Sequence, residues 1–190
     1  MLALHDAIAD RRLRARMAVV VSNKASAPGL ALAAARGIPT AVVESRKGQS
    51  RDEHDARVGA VLEEAGIDLV CLAGYMRIVG ASFVRRFQGR ILNIHPSLLP
   101  SFPGLDAQKA ALEHGVRVTG CTVHLVDEEV DHGPIVLQSA VEVGADDDVE
   151  SLSSRILERE HDLYWRAVAL VLDGRVRVEG RRARIVPTTA

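Results

Sequence analysis

The chain has 190 residues and a mass of 20.5 kDa, which is enough for a sizeable buried core. Its 24 basic and 25 acidic residues nearly cancel, which excludes a general electrostatic attraction to nucleic acid or membranes. Aromatic residues make up only 3%, too few for a surface that stacks on single-stranded nucleic acid. Because neither a signal peptide nor a long apolar stretch is found, we expect a cytoplasmic protein.

Helices and short apolar strands alternate along the first half of the chain. Residues 17–21 and 67–73 are continuous apolar runs, which is typical of strands buried on both faces of a parallel sheet. Gly37 and Gly66 each follow a helical stretch, where glycine commonly ends a helix. The pattern predicts helices at 1–16, 28–36 and 52–65 and strands at 17–21, 40–43 and 67–73.

The second half of the chain continues this alternation. Further helices are predicted at 82–87 and 106–114, and a long helix runs from the acidic triplet 146–148 to about residue 172. Strands are predicted to end at residue 95 and to span 119–126 and 134–143, followed by a hairpin around Gly180. The sequence therefore predicts an α/β fold with a Rossmann-like, mostly parallel sheet, helices on both faces and a single domain over 1–190.

Asn93 and His95 stand at the end of a short strand that Pro96 terminates. Because side chains alternate along a strand, these two residues lie on one face of the sheet. An amide donor beside an imidazole suits a carbonyl carbon that becomes tetrahedral, where charge grows on oxygen and a proton must move. On the pair alone, an equally good interpretation is that both side chains only bond to loop backbone.

An acidic loop at 127–131 follows the next predicted strand. A carboxylate from this loop would orient the imidazole of His95 and favour its protonated form. Asp131 precedes the pair Gly133-Pro134 and is our candidate for that carboxylate. This third residue makes the catalytic interpretation of Asn93 and His95 the better one.

Two motifs resemble the phosphoribosylglycinamide formyltransferases, the folate-dependent formyltransferases of purine synthesis. They are residues 93–100 (Asn-Ile-His-Pro-Ser-Leu-Leu-Pro) and residues 131–134 (Asp-His-Gly-Pro). Weaker supporting similarities occur at 22–25, 73–78 and 120–124, and the match runs from about Ser22 to the final helix. The resemblance implies the formyltransferase fold and transfer of a formyl group from 10-formyltetrahydrofolate to the amine of glycinamide ribonucleotide.

The resemblance also implies roles for individual residues. Asn93 would donate to the developing oxyanion, His95 would donate a proton, and Asp131 would hold the imidazole. Glu160 would contact the ribose of the nucleotide, although a charged face of the long helix explains this residue about as well. No metal and no covalent enzyme intermediate are implied. The residues expected to hold the folate are Arg51, Met76, Arg77, Ile78, Val79, Asn93, Asp127, Glu128, Glu129, Val130 and Asp131.

One part of the family pattern does not occur. Family members begin with a strand and a glycine-rich turn that cradles the substrate phosphate on a helix, and residues 1–21 contain no glycine. We therefore expect a sheet that lacks the family's first strand and leaves unpaired backbone on two neighbours. A start codon placed too late, an engineered truncation and a non-catalytic folate-binding remnant are the three open explanations.

Two related enzymes are alternative interpretations. Formyltetrahydrofolate hydrolase has the same three residues but uses water as the acceptor, and it usually has an additional amino-terminal domain. Methionyl-tRNA formyltransferase needs an additional RNA-binding domain, and this chain has no room for either. The predicted partners are accordingly two small molecules and no nucleic acid or membrane, with the chain a monomer or homodimer.

Three charged clusters have simpler explanations than a binding site. The basic cluster 11–16 is typical of a solvated helix end, and the acidic triplet 146–148 of a helix N-cap. His124 and His132 lie among carboxylates but lack the spacing of a zinc site, so we predict no metal. The remaining histidines outside the motif are predicted to be solvated or partly packed on helices: His5, His54, His114 and His161.

Overall fold

The computed structural model describes residues 1–187, in which helices and strands alternate as the sequence predicts. The helices are α1 (Leu2–Ala9), α2 (Pro28–Ala34), α3 (Arg51–Glu64), α4 (Ala81–Arg86), α5 (Ala107–His114) and α6 (Val149–Leu172). The strands are β1 (Val20–Ser22), β2 (Thr40–Val42), β3 (Val70–Leu72), β4 (Ile91–His95), β5 (Val118–Leu125), β6 (Ile135–Glu142), β7 (Val176–Glu179) and β8 (Arg182–Ile185).

The strands form two sheets. β1 and β2 make a parallel pair, and a six-stranded sheet has the order β3-β4-β5-β6-β8-β7. β3 and β4 are also parallel, whereas β5 is antiparallel to both β4 and β6. The predicted α/β fold with its parallel sheet is thus confirmed, and long antiparallel strands extend it in the second half of the chain.

Helices cover both faces of the six-stranded sheet. Ile91 and Leu92 are both almost fully buried although neighbouring side chains of a strand point to opposite faces. Ile91 belongs to an apolar cluster with residues of α3 and α4. Leu92 belongs to a second cluster with residues of α1 and α6. The sheet therefore lies between two helical layers, as predicted.

In residues 1–187 no strand joins β1 to β3. Both strands instead border a cavity of about 730 Å³. Val21 and Cys71 line this cavity and are only half-buried. The unpaired strand edges expected from the sequence are found here. The predicted strand at 67–73 is reduced to Val70–Leu72 and is less buried than predicted, since within residues 1–187 β3 pairs with β4 alone.

Two predictions from the first half of the chain are wrong. The predicted helix at 1–16 ends at Ala9, because Arg11 adopts a φ of 60° and the chain turns to bury Leu13. His54 is 1% exposed rather than solvated or partly packed, and within residues 1–187 neither of its ring nitrogens has a hydrogen-bond partner. It lines the cavity between β1 and β3, so helical position alone did not predict its burial.

The ends of the long helix agree with the sequence analysis. Asp148 caps α6 by accepting a hydrogen bond from the backbone N–H of Ser151 at 2.8 Å. The acidic triplet therefore acts as a helix cap, as predicted.

Within residues 1–187, no helix is both long and apolar enough to cross a membrane.

Candidate active site

Asn93 and His95 lie at the carboxyl end of β4, where the antiparallel strand β5 pairs with them. Asn93 is opposite His124 in this register, and His95 is opposite Thr122. The Nδ2 atom of Asn93 is 3.2 Å from Nε2 of His124. Because Nδ1 of His124 lies 3.0 Å from the carbonyl oxygen of Leu125, the N–H belongs on Nδ1 and Nε2 is free to accept from Asn93. The amide is therefore held from across the sheet.

The carboxylate of Asp131 reaches all three of these polar side chains. Its Oδ2 atom is 3.3 Å from Nδ1 of His95 and accepts a hydrogen bond from the backbone N–H of Gly104 at 2.8 Å. Its Oδ1 atom is 3.5 Å from Nδ2 of Asn93 and 3.6 Å from Nε2 of His124. The predicted proximity of Asn93, His95 and Asp131 is found, with His124 as an additional member.

His95 faces an oxygen atom with each of its ring nitrogens. Nε2 lies 2.9 Å from the carbonyl oxygen of Phe102, and Nδ1 faces Asp131 as described. Both nitrogens can donate at once only when the imidazole carries two protons. With 5% of the residue exposed, this arrangement provides a proton donor in a site largely closed to water.

Several opposing effects set the pKa of Asp131. Burial by itself raises the pKa of this carboxyl. The contact with His124, the hydrogen bond from the Gly104 amide and the charge of His95 together outweigh burial and hold the pKa below its ordinary value. Asp131 is consequently an anion throughout the neutral range and can stabilise a cationic neighbour.

The loop after β4 is fixed by buried hydrogen bonds. The Thr122 hydroxyl donates to the carbonyl of Ser97 at 2.7 Å and accepts from the backbone N–H of Leu99 at 3.0 Å. Gln138 donates to the Leu99 carbonyl at 2.9 Å. These bonds tie the loop to β5 and β6, and the same loop supplies Phe102 and Gly104 to the polar cluster.

The first group of predicted folate residues lies around the amino end of α3. Arg51 is the first residue of this helix and is exposed. Asp55 accepts a hydrogen bond from the backbone N–H of Gly80 at 2.6 Å, which holds the loop before α4 against the helix. In that loop Met76 is 74% and Ile78 is 52% exposed. Arg51 and the loop are therefore neighbours.

The second group of predicted folate residues lies on the acidic loop after β5. Glu128 of this loop pairs with Arg85 of α4 at 2.8 Å, so the loop lies beside the residues that follow β3. Val130 is 48% exposed, and Glu129 is also exposed. Arg77 and Val79 are half-buried, and Val79 packs in the same apolar cluster as Val126. Exposed apolar side chains thus stand on both loops, the one after β3 and the one after β5.

Glu160 lies on α6 one turn before Tyr164. The Tyr164 hydroxyl lies 2.7 Å from the carbonyl oxygen of Leu72 and 3.0 Å from that of Leu92, which places this helix face near the carboxyl end of β3 and the start of β4. Burial raises the pKa of Glu160 to about 7, and the nearby amino group of Met1 partly opposes that rise. Glu160 is half-buried, so it does not lie on a solvated, charged face of the helix. Its contact with the ribose stays a prediction.

Comparison with known proteins identifies the family. Residues 1–168 match the formyl transferase family. The phosphoribosylglycinamide formyltransferase of Haemophilus influenzae is 41% identical over 178 residues, covering 94% of this chain and 84% of that protein. The chain belongs to the formyltransferase family. Its fold agrees with that of glycinamide ribonucleotide transformylase 1 from Symbiobacterium toebii, with a TM-score of 0.95, 50% identity and coverage of 97% of this chain and 87% of the other.

Two further matches differ from these relatives, one in the length of the protein and one in its lower sequence identity. The trifunctional purine biosynthetic protein adenosine-3 of Gallus gallus is 54% identical over 164 residues, and the match covers 86% of this chain. The chain spans only 16% of that trifunctional relative's length. A formyltetrahydrofolate deformylase from Pseudomonas syringae has a similar fold, with a TM-score of 0.90, but it is 28% identical, and the match covers 98% of this chain and 61% of the deformylase.

His124 is the member of the polar cluster to which the sequence analysis assigned no role. The signal that could have found it is the register of β5 on β4, which a single sequence does not contain. Burial raises the pKa of Cys71 to about 11 and that of Cys121 to about 12. Both thiols are therefore protonated at neutral pH and are poor nucleophiles.

Proposed function

We propose that this formyltransferase moves a formyl group from 10-formyltetrahydrofolate to the amine of glycinamide ribonucleotide. The observation that supports this proposal best is the Asp131 carboxylate 3.3 Å from His95, with the amide of Asn93 on the same face. Formyl transfer requires a proton donor, a hydrogen-bond donor to the oxyanion and a fixed anion, and these three residues can supply them. The similarity to phosphoribosylglycinamide formyltransferases supports the same conclusion.

The proposed reaction begins with attack of the nucleotide amine on the formyl carbon. A carbon–nitrogen bond forms and the carbonyl oxygen becomes an oxyanion, to which Asn93 donates a hydrogen bond. His95, held by Asp131, donates a proton to this oxyanion and takes it back as the carbonyl re-forms. The bond from the formyl carbon to the folate nitrogen then breaks, and the proton lost by the amine replaces the formyl group on that nitrogen, carried by a water that Asp131 orders. No metal and no covalent enzyme intermediate are part of the proposal.

The folate is proposed to lie across the two groups of residues beside the polar cluster. Met76, Ile78 and Val130 are large apolar side chains that remain exposed, which favours contact with a flat ring. Arg51 is close enough to the first loop to meet an acidic part of the same ligand. Residues 77, 79 and 127–129 complete the proposed contacts through backbone and carboxylate groups.

Glu160 is proposed to contact the ribose of the nucleotide. Its helix lies against the carboxyl end of β3, which favours this role, since ligands of open α/β sheets bind at the carboxyl ends of strands. The proposed partners are two small molecules, without nucleic acid or membrane. A cytoplasmic location and a monomer or homodimer remain predictions.

The direct test mixes the purified chain with both substrates and follows formylated nucleotide by mass spectrometry. We expect product with the wild-type chain and a loss of about 10²–10⁴ in turnover for Asp131→Asn, the range expected when proton transfer is impaired. Asp146→Asn is the matched control, because Asp146 is exposed and lies in a separate loop. Equal turnover in the Asp131→Asn and wild-type chains would refute the assigned mechanism.

The same assay separates the alternative functions. A formyltetrahydrofolate hydrolase would release formate at the same rate with and without the nucleotide. A non-catalytic folate binder would bind the folate in a calorimetric titration but give no heat with glycinamide ribonucleotide. We expect formate release to be slow without nucleotide and the nucleotide to bind measurably.

A further inference from the structure

The acidic loop after β5 carries Asp131, yet it is a surface segment. Its two ends are held together where the backbone N–H of Leu125 donates to the carbonyl of Pro134 at 2.9 Å. Asp131 itself has a φ of 51°, a conformation that non-glycine residues seldom adopt without support. The contacts that hold the loop from outside therefore decide where the carboxylate of Asp131 points.

One outside contact comes from the turn of the carboxyl-terminal hairpin. Arg181 lies between β7 and β8, and its Nη2 atom donates to the carbonyl oxygen of His132 at 3.0 Å. Its Nη1 atom is in contact with Nε2 of the same histidine. His132 directly follows Asp131, so the guanidinium holds the backbone immediately beside the catalytic carboxylate.

The histidine transmits this contact to the start of the loop. Nδ1 of His132 lies 2.8 Å from Oδ2 of Asp127, and Oδ1 of Asp127 accepts a hydrogen bond from the backbone N–H of Glu129 at 3.1 Å. With the proton on Nδ1, the ring donates to Asp127 and accepts from Arg181 through Nε2. One ring thus connects the hairpin to both ends of the loop.

We propose that Arg181 is a positioning residue that holds the acidic loop, through His132 and Asp127, in the conformation that points Asp131 at His95. Arg181 touches neither substrate nor reacting atoms in this proposal. Its kinetic consequences rest on the proposed function, whereas its effect on the loop does not. Glu128 and Arg85 form a second outside contact at 2.8 Å, but both side chains are more than half exposed and the pair is farther from Asp131 along the chain.

Hydrogen–deuterium exchange in the full chain tests the effect on the loop. In Arg181→Ala we expect the amides of residues 128–132 to exchange about tenfold faster, while those of β5 and β6 stay at wild-type rates. Arg181→Lys should fall between the two, because a lysine can still donate to the His132 carbonyl but cannot contact ring and carbonyl together. Arg184→Ala is the matched control, since Arg184 pairs with Glu179 on the exposed hairpin and not with the acidic loop in residues 1–187.

The kinetic test separates positioning from general destabilisation. We expect Arg181→Ala to lower kcat about tenfold and to raise KM for the formyl folate, with KM for the nucleotide unchanged. A chain that is merely less stable would lose active protein without this difference between the two KM values. Partial recovery of kcat in Arg181→Lys is the expected companion result.

Two outcomes would overturn the proposal. Loop exchange in Arg181→Ala that equals that of Arg184→Ala would show that the guanidinium does not hold the loop. Equal changes in both KM values together with a lower melting temperature would show only a structural role. If the wild-type chain itself made no formylated nucleotide, the proposed function would fail, and exchange of residues 128–132 would still decide the loop contact. Should Arg181→Ala fail to fold, His132→Ala removes the same ring contact and is read by the same exchange measurement.

Discussion

Asn93 and His124 face each other across β4 and β5, with the amide nitrogen 3.2 Å from Nε2 of the ring. The ring is itself fixed, because its Nδ1 atom lies 3.0 Å from the carbonyl oxygen of Leu125. A buried histidine, only 2% exposed, thereby orients the amide proposed to donate to the oxyanion. The proposed active site consequently depends on strand pairing as much as on the motif in which Asn93 and His95 occur.

Replacing Asn93 by alanine tests whether its amide donates a hydrogen bond to the oxyanion. We expect kcat to fall by about 10²–10³, the usual effect of losing one such donor, with little change in either KM. Steady-state kinetics with both substrates measure this change. Gln88→Ala is the control, because it removes an exposed amide elsewhere. A kcat within a factor of about two of wild type would remove Asn93 from the mechanism.

Replacing His124 by alanine tests whether this residue acts through Asn93. We expect a smaller loss in kcat, about tenfold, since the amide stays in place but loses its fixed orientation. In the double variant with Asn93→Ala, the His124 change should cost almost nothing further, because residues that share one interaction are not additive. Fully additive losses would mean that His124 contributes independently of Asn93.

The pKa of Asp131 predicts how acid affects stability. Because the folded-state pKa lies below the ordinary value of 3.8, the ionised carboxylate stabilises the folded chain at neutral pH. That stabilisation is fully present above about pH 4 and is lost as the pH falls through the folded-state pKa. Urea unfolding should therefore show that Asp131→Asn destabilises the chain at pH 7 and progressively less as the pH falls below about 4. A penalty that did not change with pH would contradict this explanation.

The shifted pKa of Glu160 makes stability depend on pH in the opposite direction. Its pKa is raised from 4.5 to about 7, so the folded chain holds a proton that the unfolded chain releases more readily. The stability this provides is present below about pH 4.5 and is lost as the pH rises through 7. Glu160→Gln should therefore stabilise the chain more at pH 8 than at pH 5, as measured by urea unfolding. Glu158→Gln, on the exposed side of the same helix, is the matched control.

The same substitution tests the proposed ribose contact. If Glu160 binds the nucleotide, Glu160→Gln should raise KM for glycinamide ribonucleotide and leave KM for the formyl folate unchanged. A gain in stability without a change in either KM would assign Glu160 to packing alone.

Local patterns in the sequence were sufficient for the elements and for part of the candidate site. Asn93 and His95 share a face because side chains alternate along any strand, and Pro96 fixes where the strand ends. The capped start of α6 and the hairpin around Gly180 also follow from neighbouring residues. These features depend on interactions within a few positions of the chain, which one sequence contains in full.

Tertiary structure decided what depends on distant residues. His124 joins Asn93 only through the register of β5 on β4, and Arg181 reaches His132 only because β8 pairs with β6. The burial of His54 and the shortness of β3 likewise depend on the cavity between β1 and β3. The sequence by itself determined which side chains could perform the chemistry, because spacing along a strand is local. Which of them meet was decided by strand pairing and loop contacts, since residues far apart in the chain are brought together only by the packed fold.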